Sequence, residues 1–226
     1  MAQEPLRGRG SVIGSFLFAD LAGYTALTEA HGDDDAADLA LEFFDHVRGM
    51  LAGRRCSLVK TLGDAVMVRG EDPLQTVQLG LEIESGIGRH HGWPPVRVGI
   101  HTGRAVERQG DWFGAAVNIA ARVLAAAEPG QVVVTDDTRA ATRSQEIEFR
   151  PLGRHELRNV LEGHDLHRAL AAGTEPSVPL IDPVCRMFVD RRRCDRSAEY
   201  AGVTYYFCSD ACAEAFAAAP SRYARA

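Results

Sequence analysis

An α/β or α+β sandwich, with helices laid against one sheet, is the fold this sequence predicts for residues 11–170, and two observations carry it. Apolar, β-branched runs such as Ser11–Ala19 (SVIGSFLFA), Ser57–Val68 (SLVKTLGDAVMV), Val96–Thr102 (VRVGIHT) and Gln131–Thr135 alternate with segments whose apolar residues recur at helical spacing. The 226 residues, 46% of them hydrophobic and 25% charged, are enough for one good-sized domain with a smaller one beside it.

The first run reads as a buried strand that delivers Asp20 to the turn DLAGYT, where the carboxylate is placed either to hold a ligand or to cap the next helix. From Asp33 to Ala52, Leu39, Phe43, Val47 and Met50 fall on one helical stripe. Ser57–Val68 is a hairpin bending at Leu-Gly-Asp, with Lys60 entering the bend and Asp64 leaving it; alone, it reads as a solvated hairpin tip. Asp72 and Pro73 open a second helix that fades at Gly86 and Gly88, and His90 and His91 beyond it receive no function. Val96–Thr102 is a strand broken by Gly103, with a second short strand expected up to Glu107 before the loop RQGDW; His101 is expected to face helix or solvent. The alanine-rich Ala115–Ala127 is a helix stopped by Pro129 and Gly130, with Asn118 and Arg122 one turn apart on one face. A strand at Gln131–Thr135, a short helix at Asp136–Ser144 and a hairpin within Glu148–Val160 complete the large domain.

A net charge of -6 and pI near 5.8 argue against a nucleic-acid partner held through phosphates. No segment has the length of a signal peptide's apolar core or approaches the ~18 apolar residues of a membrane span, so a soluble, cytoplasmic protein is expected. The composition of Ala171–Leu180 marks a linker between a domain at 11–170, preceded by a ten-residue tail, and a small one at 181–226. A segment of about 45 residues rarely folds on its hydrophobic core alone, and four of the five cysteines crowd between Cys185 and Cys212. That distribution suits a metal site in a reducing compartment better than a disulfide framework.

Asp20, Asp64, Lys60, Asp111, Asn118 and Arg122 are a set that polyphosphate chemistry would need. Paired carboxylates hold Mg²⁺ or Mn²⁺, an arginine and an asparagine on one helix face meet charge developing on phosphorus, and a Lys/Asp pair can read a base edge. The segments FADLAGYTAL, KTLGDAVM and DWFGAAVNIAAR, in that order, resemble the signature segments of class III adenylate and guanylate cyclases over about Ser11–Leu170. The resemblance implies a ferredoxin-like βαββαβ core with extra strands, working as a head-to-tail homodimer with its active sites between protomers. It also implies two metal ions on Asp20 and Asp64, adenine selection by Lys60 and Asp111, and transition-state contacts from Asn118 and Arg122. Guanylate cyclases of the family usually carry Glu and Cys where Lys60 and Asp111 stand, so the implied substrate is ATP. Trp112 and Phe113 are departures in a segment where the family's aromatic residues vary.

In the small domain Cys208 and Cys212 are four apart at the start of a helix opened by Ser209 and Asp210, with a hairpin turning at Ala201 and Gly202 before it. Cys185 is the natural third ligand. The segment Asp182–Tyr223 resembles a YHS domain, a small cysteine metal-binding module, although Arg186 stands where the family usually has glycine and the middle letter of its name is unmatched. Zn²⁺ or another thiophilic ion is implied; Cys194 either completes a Cys₄ site or is a spare buried thiol. The expected function is an adenylate cyclase with a metal- or redox-sensing accessory domain. Its rivals are a nucleotide-binding regulatory module without activity and a metal-handling protein dimerised by a cyclase fold.

Overall fold

The computed structural model describes residues 10–87, 92–175, 179–192 and 194–224; His90 and His91 lie outside them. Its main sheet runs in the order β2-β3-β1-β4-β6-β8-β7, with β5 paired to β4 off this path. The strands are β1 (Val12–Leu21), β2 (Cys56–Leu62), β3 (Ala65–Gly70), β4 (Val96–Arg108), β5 (Asp111–Phe113), β6 (Val132–Thr135), β7 (Ile147–His155) and β8 (His164–Ala171). The helices between them are α1 (Tyr24–His31), α2 (Asp33–Met50), α3 (Pro73–Gly86), α4 (Ala115–Ala126) and α5 (Asp136–Ala141). The β1-α-β2-β3-α3-β4 order is the expected βαββαβ core, and β6 to β8 extend it beyond β4.

β1 is central because it can bury both of its faces. Leu17, Ala19 and Leu21 join the cluster under α2 and α3, whereas Phe16 and Phe18 point to the opposite face and pack with Met67, Ala116, Val117, Ala120 and Leu124 under α4. Fully buried aromatics such as Phe16 and Phe43 contribute roughly 1.5 to 3 kcal/mol each by leaving water. β1 pairs antiparallel with both β3 and β4, so that Asp20, near its end, lies opposite Ala65 on one side and Arg97 on the other.

Four sequence expectations require correction. Gly103 does not break its strand: β4 runs on through it to Arg108. A Cβ at this position would lie 3.0 Å from both Ala116 Cβ and His101 Nε2, so the missing side chain gives α4 room to pack on the strand. The final hairpin is not contained within Glu148–Val160, because β7 takes its partner from β8, beyond the Val160–Gly163 connection. The chain from Tyr24 to His31, read only as the sequel to a turn, is a helix of its own, started after Gly23 at φ 88° and ended by Gly32 at φ 93°. The expected helix at Asp136–Ser144 ends earlier, at Ala141.

The small unit has a hairpin of β9 (Ser197–Tyr200) and β10 (Val203–Tyr206), turning through positive φ at Ala201 and Gly202, then α6 (Asp210–Ala218) and the short α7 (Pro220–Tyr223). Phe207, Phe216, Val184, Cys185 and Cys212 form its core. It rests against the large unit: the Phe188 N–H donates to the Trp93 carbonyl at 2.7 Å. A Cβ on Gly23 would come within 2.5 Å of Arg186 Cβ. Arg186 itself adopts φ 67°, the glycine-like conformation of its position.

Candidate active site

Asp20 and Asp64 converge although they come from different elements. Asp20 leaves β1 two residues beyond Phe18 and therefore on the α4 face, while Asp64 sits in the two-residue turn Gly63-Asp64 between β2 and β3, where Gly63 takes φ 62°. Half-buried, the Asp64 carboxyl is held above the usual carboxylate range, first by desolvation and then by the charge of Asp20, against hydrogen bonds from its own N–H and that of Leu21. Asp20 is not a helix cap. Arg97 grips it with two parallel bonds, Nε to Oδ1 at 2.9 Å and Nη2 to Oδ2 at 2.6 Å. Sequence reasoning missed Arg97; the signal was an arginine between the apolar Val96 and Val98, one that only strand register could pair with Asp20.

Lys60 and Asp111, 51 residues apart, form an ion pair at 2.6 Å. This contact holds the Asp111 carboxyl below the usual carboxylate range, helped by the Trp112 N–H donating to its other oxygen. A β-bulge makes the meeting possible. Leu58 lies opposite Val68, but Lys60 lies opposite Met67, so the ladder shifts by one residue between them. In regular register Lys60 would face Val66, under α2 and α3; the bulge turns it to the Met67 face, where α4 and β5 are. β5 is fixed in turn by Trp112, whose ring lies 5.7 Å from that of Phe16 and 4.9 Å from the Arg69 guanidinium carbon.

Asn118 and Arg122 occupy the outer face of α4, both exposed, while Ala116, Val117, Ala120, Val123 and Leu124 bury the inner one. With the described residues neither side chain makes a hydrogen bond or ion pair. The structure thus brings together Asp20 with Asp64 and Lys60 with Asp111, and leaves Asn118 and Arg122 presented outward.

The sequence profile of the adenylate and guanylate cyclase catalytic domain matches residues 13–168, the span that supplies every one of these side chains. The chain belongs to this cyclase family. Residues 180–226 match the YHS domain. A pH-sensitive adenylate cyclase of Mycobacterium tuberculosis is 37% identical over 147 residues, which are 62% of this chain and 34% of that protein. An adenylate cyclase of Streptomyces griseus is 33% identical over 52% of this chain and 29% of its own length. The chain thus spans about a third of these relatives. Among solved structures, an adenylate/guanylate cyclase/hydrolase from Silicibacter pomeroyi aligns at TM-score 0.62 and 28% identity, covering 73% of this chain and 100% of that one. A Trypanosoma brucei adenylate cyclase, at TM-score 0.66 and 23% identity over 79% and 95% of the two chains, shares the fold.

The cyclase domain has a second cluster of ligand-type side chains beside it. In the YHS unit, Cys185 Sγ lies 3.3 Å from Cys208 Sγ, which lies 3.8 Å from Cys212 Sγ. Asp182 organises them: its buried carboxylate accepts from the N–H groups of Val184 at 2.8 Å, Cys185 at 3.3 Å and Cys208 at 2.7 Å. Hydrogen bonds from Cys185 and Cys208, and then the Ser209 hydroxyl at the helix N-terminus, pull the Cys212 thiol down, whereas the Cys185 thiol is pushed up. Cys194 turns elsewhere, donating to the carbonyls of Arg196 and Phe207 at 3.2 Å each. No described helix is long and apolar enough to cross a membrane.

Proposed function

We propose that the protein is an adenylate cyclase that converts ATP to 3′,5′-cyclic AMP and pyrophosphate at sites shared between two copies of the chain. One observation carries the reading: the convergent carboxylates Asp20 and Asp64 stand on the sheet face where Lys60 and Asp111 form a donor–acceptor pair. Relatives named as adenylate cyclases support the same choice of base.

In this reading Asp20 and Asp64 hold two Mg²⁺ or Mn²⁺ ions. Their all-oxygen donors suit such cations, and the burial and, after it, the Asp20 charge that raise the proton affinity of Asp64 are what a divalent ion would offset. Bound there, the ions supply acidification of the ribose 3′-hydroxyl and charge for the departing pyrophosphate. Lys60 donates to adenine N1 and Asp111 accepts from its amino group, each releasing the other as the purine enters. Arg122 places its fork of donors on the phosphoryl oxygens as charge builds, a contact whose loss typically costs ~3 to 4 kcal/mol of barrier, and Asn118 orients the ribose. Because Asn118 and Arg122 face outward from α4, they serve the carboxylates of a partner copy, so that each active site is composite. The YHS unit holds a thiophilic ion on Cys185, Cys208 and Cys212 and regulates the cyclase domain.

The test is formation of cyclic AMP from ATP with Mn²⁺, compared between the wild type and Asp64→Asn. Activity in the wild type and its loss in the variant are expected; an inactive wild type that still binds ATP would replace the enzyme with a nucleotide-binding module.

A further inference from the structure

The YHS sulfurs do not stand alone. His31, the last residue of α1 in the cyclase domain, brings a ring nitrogen to them, and this nitrogen and the three sulfurs all lie within 4.8 Å of one another. The sulfur separations of 3.3 and 3.8 Å are close to the ~3.8 Å edge of a tetrahedron built on thiolate bonds of ~2.3 Å. His31 Nε2 is buried and has no hydrogen-bond partner among the described residues. A buried ring nitrogen left unpaired is costly, and coordination is one way to satisfy it. The neighbouring contacts hold it in place: Gly23 at the start of α1 lies under Arg186, and the loop carrying Cys185 is joined to the cyclase domain through Phe188 and Trp93.

We propose that His31 is the fourth ligand of a Zn²⁺-class divalent ion, in a Cys₃His site that straddles the two units and clamps the YHS domain onto α1. The inference rests on the reading of Cys185, Cys208 and Cys212 as ligands. Neither sequence spacing nor the YHS resemblance contains it, since the histidine lies more than 150 residues upstream of Cys185 and in the other domain. Binding forms three metal–sulfur bonds and one metal–nitrogen bond, with thiol protons released to solvent. α1 begins four residues after Asp20, so ion occupancy orders the segment directly downstream of that carboxylate.

The experiment uses the full chain, reduced, with excess Mg²⁺ present and Co²⁺ as the probe. Wild type should show thiolate-to-cobalt charge transfer with the visible bands of a tetrahedral site, bleached by Zn²⁺. His31→Ala should keep the charge transfer, change the visible bands, and bind Co²⁺ at least ~10-fold more weakly. His31→Cys should raise the charge-transfer intensity by about one third, as three thiolates become four. Hydrogen exchange across Tyr24–His31 should slow on loading in the wild type and not in His31→Ala. A His31→Ala spectrum and affinity equal to wild type would overturn the clamp while leaving the three-cysteine reading intact. Absence of charge transfer in the wild type would remove both. If His31→Ala fails to fold, His31→Cys decides, and unchanged intensity there refutes the histidine.

Discussion

Arg97 closes its Nε and Nη2 on the two carboxylate oxygens of Asp20, at 2.9 and 2.6 Å, directly across the β1–β4 ladder. In this state the guanidinium supplies the positive charge that divalent ions supply in the proposed reaction, and it also holds down the proton affinity of Asp64. Arg97→Ala should therefore destabilise the metal-free protein by about 2 kcal/mol, because two neighbouring carboxylates lose their common partner. Added Mn²⁺ should then stabilise this variant more than the wild type. Urea unfolding with chelator or Mn²⁺ measures both effects, and equal Mn²⁺ stabilisation in the two proteins would show that arginine and metal do not compete for Asp20.

Lys60 and Asp111 carry the prediction of base choice. Lys60→Glu combined with Asp111→Cys reverses the donor and acceptor facing the purine, so kcat/KM should move from ATP towards GTP by at least about tenfold in ratio. Rates with both nucleotides decide it. A wild type that already prefers GTP would refute the assignment.

Composite sites predict complementation. Asp20→Ala and Arg122→Ala should each be inactive alone, but a mixed dimer has one site with both lesions and one with neither. With random exchange half the dimers are mixed and each regains one of two sites, so about a quarter of wild-type activity should return. A tagged pull-down establishes exchange. Confirmed exchange without recovery would place carboxylates and arginine in a site within one chain.

His101, expected to face helix or solvent, is buried against α5, with Nδ1 bonded to Thr135 Oγ1 at 2.8 Å. Asp137 Oδ2 lies 3.9 Å away and the ring of His164 is 5.8 Å distant. Burial outweighs the carboxylate and pulls its pKa from 6.5 down to about 4. Between those values the unfolded chain binds a proton that the folded one does not, so stability is full above pH 6.5 and falls as pH drops towards 4, by about 3 kcal/mol in all. His101→Gln should flatten that part of the profile in urea titrations at pH 7, 5.5 and 4.5; an unchanged slope would assign the acid sensitivity to another group.

Local chemistry was legible in the chain itself. Helical periodicity placed α2, α3 and α4, the Ala201-Gly202 pair and Ser209 placed the small domain's hairpin and helix, and three motifs pointed to the cyclase family, because each depends on residues within a few positions of one another. Everything that depends on register or docking was decided by the tertiary structure. The bulge that turns Lys60 towards Asp111 leaves no mark in an alternating apolar run, and Gly103 looked like a strand end because its neighbour Ala116 arrives from the next helix. Arg97 acquired its meaning only from lying opposite Asp20, 77 residues away. His31 shows the same limit most sharply: an unremarked residue at a helix end stands beside three cysteines because the two units pack together, and packing between units is a property of surfaces that no local pattern encodes.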